Sequence, residues 1–277
     1  MILGGPVFGD VSTPELWVAA LQAQGYSAAY CPLSADADDA LVAAYAEAAA
    51  SAGIVIAEVG AWSNPMSQDC ATRRSAITYC QGQLALADRI GARCCVNIAG
   101  SCGDVWDGPH PDNLTEDTFE LVVTTTREII DAVRPTHTYY GLETMPWMYP
   151  NSAESYLRLL RAVDRDRFAV HLDPVNLVAS PETYFSNGAL IRRCFALLGP
   201  FIKSCHAKDI ALANRLTIHL DEVRPGLGGL DYPAYLRELD KLPADTPLML
   251  EHLAAEQEYA AAARHIRTVA AATAAMV

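Results

Sequence analysis

Short apolar stretches rich in β-branched residues alternate along this chain with longer segments of helical periodicity. This alternation is typical of β/α units around a parallel sheet. The predicted strands are residues 2–8, 28–32, 54–60, 94–100, 139–145, 168–174, 202–209 and 247–253. The predicted helices are residues 13–24, 38–52, 70–90, 116–133, 153–163, 188–198, 232–240 and 256–274. Eight such strands close a barrel, so we predict an α/β fold with one (β/α)8 TIM barrel.

The domain organisation follows from the same pattern. We expect residues 1–277 to form a single TIM-barrel domain, with the active site at the C-terminal ends of the strands. Residues 216–223 lie between the seventh predicted strand and the glycine-rich segment 226–229. We interpret them as a long insertion in a βα-loop with a short strand of its own. Ser12 and Pro14 are the start signals of the first helix.

Composition and charge narrow the functional classes. Apolar residues make up 51% of the 277 residues and charged residues 19%, which argues against disorder. The formal net charge of -13 is the opposite of what a nucleic-acid surface needs, so we expect no nucleic-acid partner. The first residues lack a basic start, and no apolar run reaches the roughly 20 residues that cross a bilayer. We therefore expect a cytoplasmic protein with no membrane partner.

The eight cysteines contain no C-x-x-C pair. In a reducing compartment they are most simply interpreted as small buried apolar residues, and a redox or zinc-cluster role is the weaker interpretation.

Four consecutive predicted strands, the fifth to the eighth, each carry one metal-ligand side chain near the C-terminal end. These side chains are Glu143, Asp173, His206 and Glu251. Three carboxylates around one imidazole repel each other unless a cation lies between them. We therefore predict one divalent metal ion at this position, and three oxygen donors with one nitrogen suit Mn²⁺, Mg²⁺, Co²⁺ or Zn²⁺.

Each ligand also has a simpler interpretation. Asp173 precedes Pro174 and could cap the next turn, and His206 alone could be a hydrogen-bonded core histidine. Four such residues at equivalent depth on consecutive strands favour the metal site over four independent explanations.

Strand alternation and loop position suggest residues around the predicted metal. His171 faces the same side as Asp173 one layer deeper, and Lys208 lies two residues beyond His206 at the barrel mouth. Lys208 could contact substrate oxygens or pair with Asp209 or another carboxylate. Arg224 lies on a loop above the seventh strand, where it could reach the substrate or remain a solvated charge. Alternation points His252 away from Glu251, so we exclude it from the site.

Tryptophans follow three of the predicted strands. Trp62, Trp106 and Trp147 come after the third, fourth and fifth strands. Their flat faces can stack on the C–H faces of a sugar, and packing between loops is the alternative.

The strand-end residues, the run His206-Ala-Lys-Asp209 and the sequence Trp62-Ser-Asn-Pro65 resemble the xylose isomerase-like TIM-barrel family of sugar isomerases and epimerases. The resemblance covers essentially the whole chain. It implies that the four ligands bind one divalent metal and that Glu143 and Glu251 are also the catalytic acid–base pair. One glutamate would take a proton from the carbon beside a carbonyl while the metal stabilises the enediolate. A carbohydrate substrate and a homodimer or homotetramer are further implications.

The resemblance leaves the reaction open. Return of the proton gives epimerisation or aldose–ketose isomerisation, whereas loss of a leaving group makes the chain a dehydratase or eliminase, a lyase acting on a keto-inositol or 3-keto-glycoside. Ketose 3-epimerases of the family have a substrate-binding His where this chain has Asn176, and a Glu where it has Tyr149. Asn176 is therefore a candidate substrate contact, and we expect this chain to bind its substrate differently from those epimerases.

Two related possibilities are weaker. A DNA-repair endonuclease shares the barrel, but it needs more metal ligands than seven histidines readily supply and a basic surface. A sugar-binding barrel without activity would be favoured only by a missing ligand. The late loops hold few cations, and segment 226–229 is a weak phosphate-binding candidate, so an unphosphorylated sugar is the better prediction.

Overall fold

The computed structural model describes residues 1–273 and contains a closed barrel of eight parallel strands. The barrel strands are β1 (Ile2–Gly4), β2 (Ala28–Tyr30), β3 (Val55–Gly60), β4 (Cys94–Asn97), β5 (Tyr139–Glu143), β6 (Phe168–Leu172), β7 (Ile202–Ala207) and β10 (Pro247–Leu250). They pair in the order β1, β10, β7, β6, β5, β4, β3, β2, which returns to β1. The predicted TIM-barrel fold is confirmed.

The helices surround the barrel and connect successive strands. They are α1 (Pro14–Gln24), α2 (Asp39–Ser51), α3 (Cys70–Ile90), α4 (Glu116–Val133), α5 (Ala153–Val163), α6 (Pro181–Phe185), α7 (Asn187–Leu198), α8 (Tyr232–Leu239) and α9 (Glu256–Thr273). Thr13, not Ser12, caps α1 by accepting the Leu16 amide hydrogen. The short helix α6 was not predicted. The predicted end of the last helix, residue 274, lies outside the described residues.

The predicted insertion forms an antiparallel hairpin outside the barrel. Its strands are β8 (Asp209–Leu212) and β9 (Leu220–Val223), so the predicted seventh strand divides between β7 and β8. Asp209 is buried and accepts amide hydrogens from Gly226, Gly228 and Leu230. A Cβ at Gly228 would collide with the Asp209 carboxylate, so the loop needs glycine there. These bonds fix the hairpin above the C-terminal end of β7.

The barrel strands and the surrounding helices contribute to one large apolar core. The cysteines are all unpaired, and five of the eight are buried, in agreement with their predicted packing role. None of the helices within residues 1–273 is both long enough and apolar enough to cross a membrane.

Candidate metal centre and substrate pocket

The four predicted metal ligands meet at the C-terminal mouth of the barrel. Glu143 ends β5, Asp173 follows β6, His206 lies near the end of β7 and Glu251 follows β10. One ligand atom from each lies within 4.8 Å of the ligand atoms of the other three. Nδ1 of His206 is 3.2 Å from Oε1 of Glu143 and 2.7 Å from Oε1 of Glu251. The chain therefore brings together the predicted donor set on four neighbouring strands.

The local backbone holds the carboxylates in place. The Thr144 hydroxyl donates to the Asp173 carbonyl oxygen at 2.7 Å and accepts from the Asp173 amide at 3.0 Å. Oδ1 of Asp173 accepts the Val175 amide hydrogen at 2.9 Å, so the capping interpretation is also correct for that oxygen. Oδ2, the other oxygen, remains for the centre. Asn176 donates from Nδ2 to Oε1 of Glu143 at 3.0 Å and thereby orients this glutamate.

Lys208 is the buried cation of the centre. Its Nζ lies 2.9 Å from Oδ2 of Asp173, 2.6 Å from Oε1 of Glu251 and 3.5 Å from Oε1 of Glu143. Asp209, the next residue and an expected partner of Lys208, instead accepts hydrogen bonds from backbone amides. Lys208 therefore offsets the negative charge of the ligand carboxylates.

The clustered charges shift the pKa values of the ligands. Burial alone raises the pKa of Glu251, but the charges of His206 and Lys208 outweigh burial and lower that pKa to about 2. The pKa of Glu143 is also lowered, against the effect of burial, chiefly by His206. Burial favours neutral His206, but Glu251, Glu58 and Glu143 raise the His206 pKa well above its ordinary value. Without a metal, His206 and Lys208 are the counter-charges of the centre.

Two buried carboxylate oxygens test whether a cation fits here. Oδ2 of Asp173 and Oε1 of Glu251 have neighbouring cations, yet no donor is aligned to give either oxygen a hydrogen bond. Buried carboxylate oxygens of this kind are usually hydrogen-bonded or bound to a metal. The donor set of three oxygens and one imidazole nitrogen fits a hard or borderline divalent cation.

A second group of polar side chains lies directly beneath the ligands. It contains Glu58 on β3, His171 on β6 and Ser204 on β7, which are all at most 1% exposed. His171 Nε2 lies 3.0 Å from Oε1 of Glu58, and Oε2 of Glu58 lies 3.3 Å from Nε2 of His206. The deeper position predicted for His171 is confirmed, and this histidine is not among the residues that line the pocket.

The centre opens into a pocket of about 520 Å³. Glu143, Glu251, Lys208 and Asn176 lie on its polar side. The predicted tryptophans all line it, and each is about 40% exposed: Trp62, Trp106 and Trp147. Trp147 is held by a hydrogen bond from Nε1 to the Asp107 carbonyl oxygen at 2.7 Å. A pocket with convergent polar groups and aromatic walls is suited to a small polyhydroxylated molecule.

The structure contradicts one prediction about the rim and places a second predicted residue outside the pocket. Strand alternation excluded His252, but β10 ends at Leu250, and His252 has a left-handed backbone with φ of 56°. Alternation therefore no longer applies, and His252 lines the pocket with Nδ1 3.3 Å from Oε1 of Glu222. Arg224 does not line the pocket, because its Nε lies 2.8 Å from Oε2 of Glu258 on α9.

Sequence reasoning also missed polar residues in and beneath the site, among them Glu58, Tyr30 and Glu222. Glu58 was a signal in principle, since it is the lone charge in an apolar predicted strand. Tyr30 and Glu222 also line the pocket. No sequence feature distinguishes Tyr30 from the other residues of β2, or Glu222 from the other residues of the β8–β9 hairpin.

The lowered pKa of Glu251 predicts how the metal-free protein responds to acid. A carboxyl whose pKa falls from 4.5 to about 2 on folding stabilises the fold fully above pH 4.5. This stabilisation disappears as the pH falls from 4.5 through 2. We expect the difference in unfolding free energy between wild type and Glu251→Gln, measured in chelator by urea unfolding, to shrink over this range. A constant difference would contradict the ion pairing of Glu251.

Comparison with solved structures shows the same fold at low identity. D-psicose 3-epimerase from Clostridium cellulolyticum H10 has a TM-score of 0.68 and 16% identity, with 97% of this chain and 99% of that chain covered. The probable 3-DHS dehydratase from Bacillus anthracis has a TM-score of 0.69 and 15% identity, with 96% of this chain and 97% of that chain covered. Endonuclease IV from Thermus thermophilus has a TM-score of 0.72 and 14% identity, with 98% of each chain covered. These neighbours differ in reaction, so at this identity they establish the fold alone.

Sequence comparison identifies the family. A search of curated proteins gives no significant match. The model of the family described as xylose isomerase-like TIM barrel matches residues 18–269, which is most of the chain and includes all four ligand positions. This chain belongs to the xylose isomerase-like TIM-barrel family.

Proposed function

We propose that this protein is a divalent-metal-dependent sugar isomerase or epimerase that acts on an unphosphorylated ketose or keto-sugar. The observation that carries the proposal is the convergence of Glu143, Asp173, His206 and Glu251 beside an open pocket. These four residues would hold the metal. Two of them, Glu143 and Glu251, also line the pocket, where a substrate can meet their carboxylates.

The proposed reaction needs a base beside the carbon that loses its proton. A bound divalent cation would polarise the substrate carbonyl and stabilise the negative charge that develops on its oxygen. In the metal-free protein the charges of His206 and Lys208 lower the pKa values of Glu251 and Glu143, so both side chains are carboxylates with an oxygen that can accept a proton. Asn176 keeps Glu143 oriented by its hydrogen bond to Oε1.

The charges of the pocket favour a substrate without phosphate. Lys208 is the one lysine or arginine among the described residues that line the pocket, and carboxylates already surround it. The glycine-rich segment 226–229 does not offer free amides in the way a phosphate loop does. The amides of Gly226 and Gly228 donate to Asp209, and that of Gly229 donates to the Ile210 carbonyl oxygen.

A dehydratase or eliminase is the second candidate function. Elimination needs the same base and, in addition, a donor for the oxygen of the leaving group, which is a hydroxyl in dehydration and the glycosidic oxygen in a keto-glycoside. The Lys208 ammonium lies beside Glu251 and lines the pocket, so it can donate a hydrogen bond to the leaving group. Despite burial, the surrounding carboxylates raise the pKa of Lys208 well above the ordinary value and make it a weak acid.

The proposal is tested by hydrogen exchange with solvent. Protein loaded with Mn²⁺ is incubated in D₂O with a panel of ketoses, keto-inositols and 3-keto-glycosides and with ketose phosphates. We expect deuterium at the carbon beside the carbonyl of at least one unphosphorylated substrate, detected by NMR, and no exchange after the metal is removed with EDTA. Appearance of an enone absorbance favours elimination. No exchange with any member of the panel would contradict both reactions, and exchange of phosphates alone would contradict the charge argument.

A further inference from the structure

Glu58 lies beneath the candidate metal centre and is not among the residues that line the pocket. Its carboxylate is 1% exposed and lies within reach of side chains from two other strands. Burial of an unpaired carboxylate is costly, so a buried carboxylate is retained only with strong partners. The partners of Glu58 divide between its two oxygens.

The two carboxylate oxygens of Glu58 have different partners. Oε1 accepts a hydrogen bond from the Ser204 hydroxyl and faces Nε2 of His171 at 3.0 Å. Oε2 faces Nε2 of His206 at 3.3 Å. The opposite nitrogen of the same ring, Nδ1 of His206, faces Glu143 and Glu251. Ser204 and His171 therefore hold Glu58, and Glu58 in turn contacts the side of His206 that is turned away from the pocket.

Glu58, His171 and His206 could also be a second metal site, since their ligand atoms lie within 4.8 Å of one another. The contacts favour hydrogen bonding over a second ion. A neutral imidazole has one N–H and one available nitrogen lone pair, so His206 could ligate an upper ion through Nδ1 and a lower ion through Nε2 only after losing its remaining N–H proton. The Ser204 hydroxyl already occupies Oε1, and the group has no exposed surface through which an ion enters.

We propose that Glu58 is a positioning residue that holds the His206 ring with Nε2–H toward itself and the Nδ1 lone pair toward the metal. This role rests on the metal centre of the proposed function. A carboxylate behind a ligating histidine fixes the tautomer and the ring orientation and makes the ligating nitrogen a better donor. Loss of such a partner weakens metal binding by roughly 10–100-fold.

The first test measures Mn²⁺ binding by calorimetry without any sugar. Glu58→Gln keeps the size of the side chain but removes its charge, and we expect Mn²⁺ affinity to fall roughly 10–100-fold. Glu154→Gln is the control, since it removes the same charge from an exposed glutamate of α5 that pairs with Arg193 outside the site. We expect its Mn²⁺ affinity to equal that of wild type. Unchanged affinity in Glu58→Gln, equal loss in both variants, or two Mn²⁺ ions per wild-type chain would each overturn the proposal.

A second measurement needs no variant of Glu58. Long-range ¹H–¹⁵N NMR of Zn²⁺-loaded wild type, with His206 assigned against His206→Asn, reports which ring nitrogen carries hydrogen. We expect hydrogen on Nε2 and zinc on Nδ1, and the reverse arrangement overturns the proposal. Neither measurement uses a substrate. The expected ranking of Mn²⁺ affinities and the expected tautomer would therefore support the positioning role even if the proposed reaction on sugars failed.

Discussion

Glu251→Gln is expected to lower metal-dependent hydrogen exchange by roughly 10²–10⁴-fold, the usual contribution of a positioned acid or base. The glutamine keeps the shape of the side chain and an oxygen donor, but it cannot accept a proton from carbon. The side chain of Glu251 is only 11% exposed and lies against His206 and Lys208, so a solvent base has poor access to replace it. The rate of deuterium incorporation under saturating Mn²⁺ measures the effect.

Because Glu251 is also a candidate ligand, the assay must separate proton transfer from metal loss. Calorimetry first establishes the Mn²⁺ concentration that saturates each variant, and exchange is then measured above it. Glu256→Gln is the matched control: it removes the same charge five residues later, at the start of α9, where Glu256 accepts a hydrogen bond from Gln24. Its exchange rate should equal that of wild type. A Glu251→Gln variant that is saturated with metal and retains wild-type exchange would exclude Glu251 as an acid or base.

The strand pattern predicted the barrel and the ligand set because both depend on local order along the chain. Parallel strands of a barrel have their C-terminal ends at one mouth, so a ligand-type residue at the end of each of four consecutive strands must converge there. Glu143, Asp173, His206 and Glu251 follow this rule. The fold and the candidate centre were therefore accessible from the sequence alone.

The remaining parts of the site depend on tertiary contacts that no local pattern encodes. Arg224 is withdrawn from the pocket by Glu258, a residue of the next helix but one along the chain. His252 enters the pocket because the chain leaves the strand after Leu250 with a left-handed residue. Glu58 acquires its function from His206, which lies 148 residues later. Such partners become visible only once the barrel is closed.

Lys208→Met is expected to destabilise the metal-free protein by about 3–5 kcal/mol, the usual cost of removing one partner from a buried ion pair. The Lys208 side chain is 2% exposed, and its ammonium lies against Asp173 and Glu251. Methionine fills much of the same volume but leaves the carboxylates with His206 as their remaining close cation. Urea unfolding in EDTA measures the loss, and Lys241→Met is the control, since exposed Lys241 pairs only with Glu238 among its described contacts and should change stability by less than about 1 kcal/mol.

The same substitution should have the opposite effect on metal binding. The Lys208 ammonium lies within 2.9 Å of oxygens from two candidate ligands, so in the metal-free protein it supplies positive charge that a divalent cation would otherwise supply. Without that charge the carboxylates attract a cation more strongly, and we expect Mn²⁺ to bind about tenfold more tightly. Saturating Mn²⁺ should therefore restore more stability to Lys208→Met than it adds to wild type, because a ligand that binds only the folded state stabilises it according to its affinity. A variant that is as stable as wild type in EDTA, or that binds Mn²⁺ more weakly, would show that Lys208 is not the counter-charge of this centre.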